Sequence, residues 1–190
     1  MTNAIESRAV LILAFLAAGA AAACDDALSL LPATYTNVVD TVTLYAIRGT
    51  PVAAPSGYDV PTKTARRTDQ PNFDFAFDLN TAGTPVLYPA GSLGLGGTPG
   101  ILPSTQVFDS IKSAPTSGYL DSLPVTISPG AVFIVRSRPS ALACSITGAL
   151  PLYGKFLVLA IDPVDRTLKL QTLVNRNCGY RDLTPGLPTA

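Results

Sequence analysis

The sequence predicts an all-β protein: a β-sandwich or barrel-like single domain of about seven to eight short strands with long Pro- and Gly-rich loops, preceded by a signal-peptide helix. Three observations lead to this fold class. Segments rich in β-branched and aromatic residues recur along the chain. They are separated by many of the 15 Gly and 17 Pro among the 190 residues, and no segment after residue 23 combines a helical period with helix caps. The predicted organisation is a signal peptide (1–23), a tether segment (24–35), a β-rich domain (36–183) and a C-terminal tail (184–190).

Local patterns predict the individual strands. Residues 41–48 are rich in β-branched side chains and end at a Gly-Thr-Pro turn. Residues 72–80 alternate strictly, which predicts a core face of Phe and Leu and a solvent face that carries Asp74 and Asp78. The remaining predicted single strands are 106–112, 125–128 and 131–138, and the predicted loops are 49–71 and 89–103.

The clearest local pattern is a C-terminal hairpin. Residues 155–161 read KFLVLAI and residues 167–174 read TLKLQTLV, with Asp162 and Pro163 between them. Asp and Pro favour a turn because the carboxylate accepts local hydrogen bonds and the proline ring fixes φ. We therefore expect two antiparallel neighbours in one sheet.

The N-terminus has the pattern of an export signal. Residues 9–23 are uniformly apolar and fall short of the ~20 residues that a membrane-spanning helix needs. The last three of these residues and the next one read Ala21-Ala22-Ala23-Cys24, which resembles the lipobox of bacterial lipoprotein precursors. This resemblance implies a lipid on Cys24, which becomes the mature N-terminus, and a place on the periplasmic or extracytoplasmic face of a bacterial membrane. Ordinary cleavage after the A-x-A-like triplet and a retained anchor are the alternatives.

Two further cysteines complete the set. Cys144 and Cys178 form an even pair once Cys24 is lipidated, and export favours a disulfide between them. By the chain-entropy account, closing a loop of about 34 residues stabilises the fold by roughly 3–4 kcal/mol.

Residue types that carry catalysis are scarce. The chain has no His and its one Glu is Glu6, which excludes Ser-His-Asp and Cys-His nucleophile systems, His-ligated zinc and a glutamate general acid in the mature domain. Serine-hydrolase motifs of the G-x-S-x-G and S-x-x-K types are also missing. We therefore expect no enzyme activity, no cofactor and no metal site. Lys plus Arg and Asp plus Glu both number 13, and this balance argues against a nucleic-acid partner.

The remaining candidate contacts are basic. Lys63, Arg66 and Arg67 cluster in a Pro-rich segment, and Arg136 and Arg138 share one side of their predicted strand by period 2. These side chains could meet lipid headgroups or an acidic partner surface. A solvated loop is the alternative interpretation of the 63–67 cluster.

These observations favour a non-enzymatic, lipid-anchored extracytoplasmic domain. We expect it to serve as a structural or accessory subunit that binds or braces a membrane or envelope protein complex, with secretion, respiratory and photosynthetic complexes equally compatible. The alternative is an exported binding module for a glycan or small molecule. An enzyme that uses Asp, Lys, Tyr or Ser chemistry alone is the third hypothesis.

Overall fold

The computed structural model describes residues 30–70, 72–96, 98–140, 144 and 150–188, so the predicted signal-peptide helix lies outside the described residues. Contacts divide the chain into Met1–Leu31 and Pro32–Ala190, and the fold described below belongs to the second unit. It is all-β, as predicted, with ten strands in two antiparallel five-stranded sheets that form a sandwich. No helix in these described ranges is both long and apolar enough to cross a membrane.

The strands, in chain order, are β1 (Val39–Tyr45), β2 (Gly57–Asp59), β3 (Thr64–Arg66), β4 (Phe75–Leu79), β5 (Pro85–Pro89), β6 (Gly100–Ser104), β7 (Val125–Thr126), β8 (Val132–Arg136), β9 (Tyr153–Asp162) and β10 (Thr167–Asn175). The first sheet has the order β1-β10-β9-β8-β6, and the second has the order β3-β2-β4-β5-β7. Short 3-10 turns occupy Ala90–Leu93 and Phe108–Ser110.

Most strand predictions are confirmed. The segments 72–80, 125–128 and 131–138 contain β4, β7 and β8, the segment 41–48 overlaps β1, and the predicted hairpin is β9 paired with β10. The Asp162 carboxylate accepts the N–H groups of Val164 and Asp165, at 2.8 and 3.0 Å, which fixes the turn.

One predicted strand and two predicted loops are wrong. The segment 106–112 holds the 3-10 turn Phe108–Ser110, since Phe108 and Ile111 are both buried three positions apart. The predicted loop 49–71 contains β2 and β3, and the predicted loop 89–103 contains all of β6 except Ser104. These three strands, together with β5, for which no strand was predicted, bring the number of strands to ten.

An aromatic cluster joins the two sheets in the core. Tyr58 and Phe75 come from the second sheet, and Phe133 and Phe156 come from the first. Ring centroids are 5.1 Å apart for Phe133 and Phe156 and 5.4 Å apart for Phe75 and Phe156. Offset and edge-to-face pairs at such spacings add about 0.5–1.5 kcal/mol each beyond the burial of their area.

The outer face of the first sheet is partly covered by the segment around Phe108–Ile111. Lys155 lies beneath it, fully buried, and its Nζ donates to the carbonyl oxygens of Phe108 and Ile111 at 2.9 and 3.0 Å. The same ammonium lies 4.6 Å from the centroid of the Phe108 ring. Burial lowers the pKa of Lys155, and its two hydrogen bonds attach the covering segment to β9.

The described part of the predicted tail pairs with the chain that leaves the tether. Asn37 and Gly186 exchange backbone hydrogen bonds of 2.8 and 3.0 Å. Asn37 is buried, and its Nδ2 also donates to the carbonyl oxygens of Asp182 and Thr184. The two ends of the described domain therefore lie side by side.

Candidate functional site

A buried charge cluster connects the two sheets. We use this name for Asp59, Arg66, Asp74 and Arg138. Arg138 follows β8 of the first sheet, and its Nη2 and Nη1 lie 2.7 Å from Asp59 Oδ1 and 3.1 Å from Asp74 Oδ1. Both carboxylates belong to the second-sheet side, where Asp59 is 2% exposed and Asp74 is 0% exposed. Arg66 of β3 adds a second cation at 3.4 Å from Asp59 Oδ2.

Asp74 and Asp78 were predicted to face solvent, and this prediction is wrong. Both are buried, because the face of β4 opposite the aromatic core is also covered. Arg138 contacts Asp74, while the backbone N–H and Nε of Arg48 lie 3.0 and 3.4 Å from the Asp78 carboxylate. The alternating pattern therefore marks a strand that is buried on both faces and has paired charges on one of them.

The carboxylate of Asp74 is held by backbone donors as well as by Arg138. Its Oδ2 accepts the N–H of Val60 at 2.8 Å, and its Oδ1 accepts the N–H of Arg138 at 2.8 Å. Burial nevertheless raises the pKa of Asp74 to about 6, because desolvation of the charged form outweighs the stabilisation by Arg138 and the N–H groups.

This pKa gives the protein a predictable pH dependence. Between the ordinary value of 3.8 and about 6, the folded state binds more protons at Asp74 than the unfolded state does. The contribution of Asp74 to the free energy of unfolding therefore falls as the pH rises through that interval. We expect Asp74→Asn to remove this part of the slope, as measured by denaturant unfolding at a series of pH values.

The exposed turn residue Asp165 provides the matched control. Asp165→Asn is the comparison for replacing an exposed carboxylate by an amide, and Asp74→Asn should change the pH dependence of the unfolding free energy more than it does. A constant difference between the unaltered protein and Asp74→Asn from pH 4 to pH 7 would contradict the raised pKa.

A cavity of about 400 Å³ lies beside the charge cluster. Its lining surface is polar and apolar in about equal parts, and it comprises Asn72, Phe73, Ala90, Leu95, Gly96, Pro99, Arg138 and Pro139. Because Arg138 already faces two carboxylates, its charge is compensated, and the cavity suits an uncharged ligand better than an anion. Within the described ranges, His, Cys, Asp and Glu side chains nowhere gather in a group of three that could hold a metal ion.

The five predicted partner-binding residues lie in different surroundings. Arg66 and Arg138 belong to the charge cluster and face Asp59. Lys63 occupies the turn between β2 and β3, with φ of 57°. Because β8 ends at Arg136, Arg138 lies beyond the strand, and the period-2 argument that placed both on one side does not apply.

The two other predicted residues contact different groups. Arg67 pairs with Asp69 at the surface. The guanidinium of Arg136 lies 5.0 Å from the centroid of the Tyr119 ring, and its Nη2 donates to the carbonyl oxygen of Thr98 at 3.1 Å. Sequence reasoning identified these cations but missed Asp59, since the burial of a single Asp in a short strand has no periodic signal.

The predicted disulfide is confirmed. Cys144 and Cys178 are bonded, with Cα atoms 5.5 Å apart and a sequence separation of 34. The bond joins the segment after β8 to the segment after β10. Cys24 lies outside the described residues, so its predicted lipidation remains a prediction.

β1 forms an edge of the first sheet, with β10 on one side only. The N–H of Ala46 points toward the β10 side and donates to Arg166 at 2.8 Å, whereas the N–H of Tyr45 points away and donates to Pro55 at 3.0 Å. Because these directions alternate along a strand, the N–H groups of Thr41 and Thr43 also point away from β10. Both residues are exposed, as an uncovered stretch of edge requires.

Comparison of the chain with protein-family models, with curated proteins and with solved structures finds no match.

Proposed function

We propose that the protein is a non-enzymatic, lipid-anchored domain on the extracytoplasmic face of a bacterial membrane, where it serves as an accessory subunit that binds or braces a membrane or envelope protein complex. The observation that carries this proposal is the accessible edge of β1. Thr41 and Thr43 present both exposed side chains and outward backbone groups there. A row of unpaired N–H and C=O groups is a template for a strand of another protein.

The edge is suited to specific strand addition. The N–H of Thr41 is already satisfied by the Asp40 carboxylate at 2.7 Å, so the outward N–H of Thr43 is the donor that this stretch offers to an added strand. Val39, Thr41 and Thr43 are exposed and would contact the side chains of an added strand. A partner strand would thus extend the first sheet, its backbone providing affinity and these side chains providing specificity.

Two further features support the proposal. One concerns the compartment of the domain and the other concerns its mode of binding. The Cys144–Cys178 disulfide suits an oxidising compartment. The cations predicted to bind partners are largely paired within the domain, so the proposed contact depends on the β1 edge rather than on a basic surface. Lys63 and the exposed Arg67 would add peripheral contacts at most.

Proline substitution at the edge tests this mode of binding. Thr43→Pro removes an N–H that does not bond to β10, so the domain keeps its own ladder while a partner strand loses a hydrogen bond and meets the ring. We expect the variant to fold and to lose its co-migrating partner when membranes are extracted with mild detergent and resolved by native electrophoresis.

Thr126→Pro is the matched control. Thr126 is also exposed and lies in β7, an edge strand of the second sheet. Its N–H also points outward, since its neighbour Ile127 donates to Pro85 of β5. Thr126→Pro should keep the partner. Retention of the partner by Thr43→Pro, or equal loss from both variants, would contradict binding at the β1 edge.

The cavity beside Arg138 favours a second candidate, an exported binding module for a glycan or small molecule. Its lining of Phe73, Leu95 and Asn72 combines apolar surface with a polar group that could orient an uncharged ligand. This candidate predicts thermal stabilisation of the purified domain by such a ligand, with no protein that co-purifies.

A further inference from the structure

An exposed apolar patch lies where the chain joins the sandwich after the tether. We call Tyr35, Val38, Pro185 and Leu187 the tether-side patch. The exposed fractions are 47% for Tyr35, 53% for Val38 and 60% for Leu187. These values are high for large apolar side chains, and the patch is separate from the Thr41–Thr43 stretch of the β1 edge.

Backbone pairing brings the patch together. The hydrogen bonds between Asn37 and Gly186 make their neighbours an antiparallel pair, with Val38 opposite Pro185 and Leu187 opposite Thr36. Val38 lies on the side opposite to the buried Asn37, because successive side chains alternate along an extended chain. Pro185 and Leu187, on either side of Gly186, are exposed as well. The pairing therefore brings the exposed Val38, Pro185 and Leu187 close together, with Tyr35 two residues before Asn37.

Buried side-chain amides fix the orientation of this segment. Asn177 Oδ1 accepts the N–H groups of Thr34 and Tyr35 at 2.7 and 2.9 Å, and its Nδ2 donates to the Tyr35 carbonyl at 2.7 Å. The side chain of Asn37 is hydrogen-bonded to the carbonyl oxygens of Asp182 and Thr184. Together these hydrogen bonds hold the chain against the sandwich from Thr34 onward. The patch is thus part of the rigid domain.

The chemistry of the patch matches a bilayer interface. The guanidinium of Arg176 lies 4.5 Å from the centroid of the Tyr35 ring. Tyrosine favours the headgroup region, where its ring is in apolar surroundings and its hydroxyl is wet. An adjacent arginine can reach lipid phosphates while its stem covers apolar surface.

The tether is short enough to bring this patch to the membrane. About ten residues separate Cys24 from Thr34, and a chain of that length spans at most ~33–36 Å. We propose that the tether-side patch rests on the bilayer surface, with Tyr35, Val38 and Leu187 in the headgroup region and Arg176 facing lipid phosphates. This inference rests on the proposed lipid anchor at Cys24. It places the β1 edge, which begins next to Val38, beside the membrane.

Environment-sensitive labels test this orientation. The lipidated full-length product is purified from membranes as Val38→Cys or Leu187→Cys, labelled with nitrobenzoxadiazole, and reconstituted into vesicles of phosphatidylethanolamine and phosphatidylglycerol. Val164→Cys is the matched control, because Val164 is 87% exposed in the turn at the far end of β10. We expect a blue shift and several-fold weaker iodide quenching at positions 38 and 187, and neither change at 164.

The outcomes distinguish failure of the lipid anchor from failure of the patch proposal. If the protein floats with the vesicles but position 38 is quenched as strongly as position 164, the lipid anchor stands and the patch proposal is overturned. If the protein does not associate with the vesicles, both the anchor and the patch proposal fail. Because only lipid is present, protection of positions 38 and 187 cannot come from a protein partner.

Discussion

Replacing Arg138 with Met is expected to lower the free energy of unfolding by about 3–5 kcal/mol, since removing one partner of a buried ion pair leaves uncompensated charge. Here two carboxylates lose their shared cation. Asp59 and Asp74 are both buried, and Arg138 donates to each of them. Arg66 lies 3.4 Å from Asp59 and would compensate only part of the loss. Chemical denaturation followed by circular dichroism measures the change.

The exposed pair of Arg67 and Asp69 gives the comparison. Arg67→Met should change the unfolding free energy by about 0–1 kcal/mol, as is usual for ion pairs in solvent. Addition of Asp59→Asn and Asp74→Asn to the Arg138→Met variant should recover part of the lost stability, because the buried charges are then removed. A loss for Arg138→Met no larger than that for Arg67→Met would show that the cluster does not hold the sheets together.

Removing the disulfide is expected to have the second large effect. The double variant Cys144→Ala and Cys178→Ala opens a loop that spans 34 positions, and the chain-entropy account puts the loss at about 3–4 kcal/mol. The measurement is the denaturant midpoint with and without reductant.

Reduction of the unaltered domain should lower its stability by a similar amount and should not affect the double variant. Equal midpoints for the oxidised domain and the double variant would contradict a stabilising role for this bond.

The parts of the fold that could be predicted from sequence are those with a long regular pattern. Residues 72–80 and the hairpin of β9 and β10 show clear alternation and turn chemistry, and both form strands. Cys144 and Cys178 are bonded, as was expected from the predicted export signal and from setting Cys24 aside. The strands depend on local alternation and on turn residues, which a single sequence displays directly.

The parts that could not be predicted depend on what packs against them. β2 and β3 are each three residues long, too short for a period, and they lie in a Pro-rich segment. The alternation around Asp74 correctly placed Phe75 and Phe77 in the core, but it could not show that the opposite face would be covered by Arg138. The position of β1 at a sheet edge is likewise a property of the strand order.

Native membranes provide the decisive test of the claim that this domain is a lipid-anchored accessory subunit. Native membranes are extracted with mild detergent, resolved by size under native conditions and analysed by intact mass. We predict a chain that begins at Cys24 with the added mass of its lipid and that migrates with a partner complex at fixed stoichiometry. A chain without lipid that migrates alone would contradict the claim.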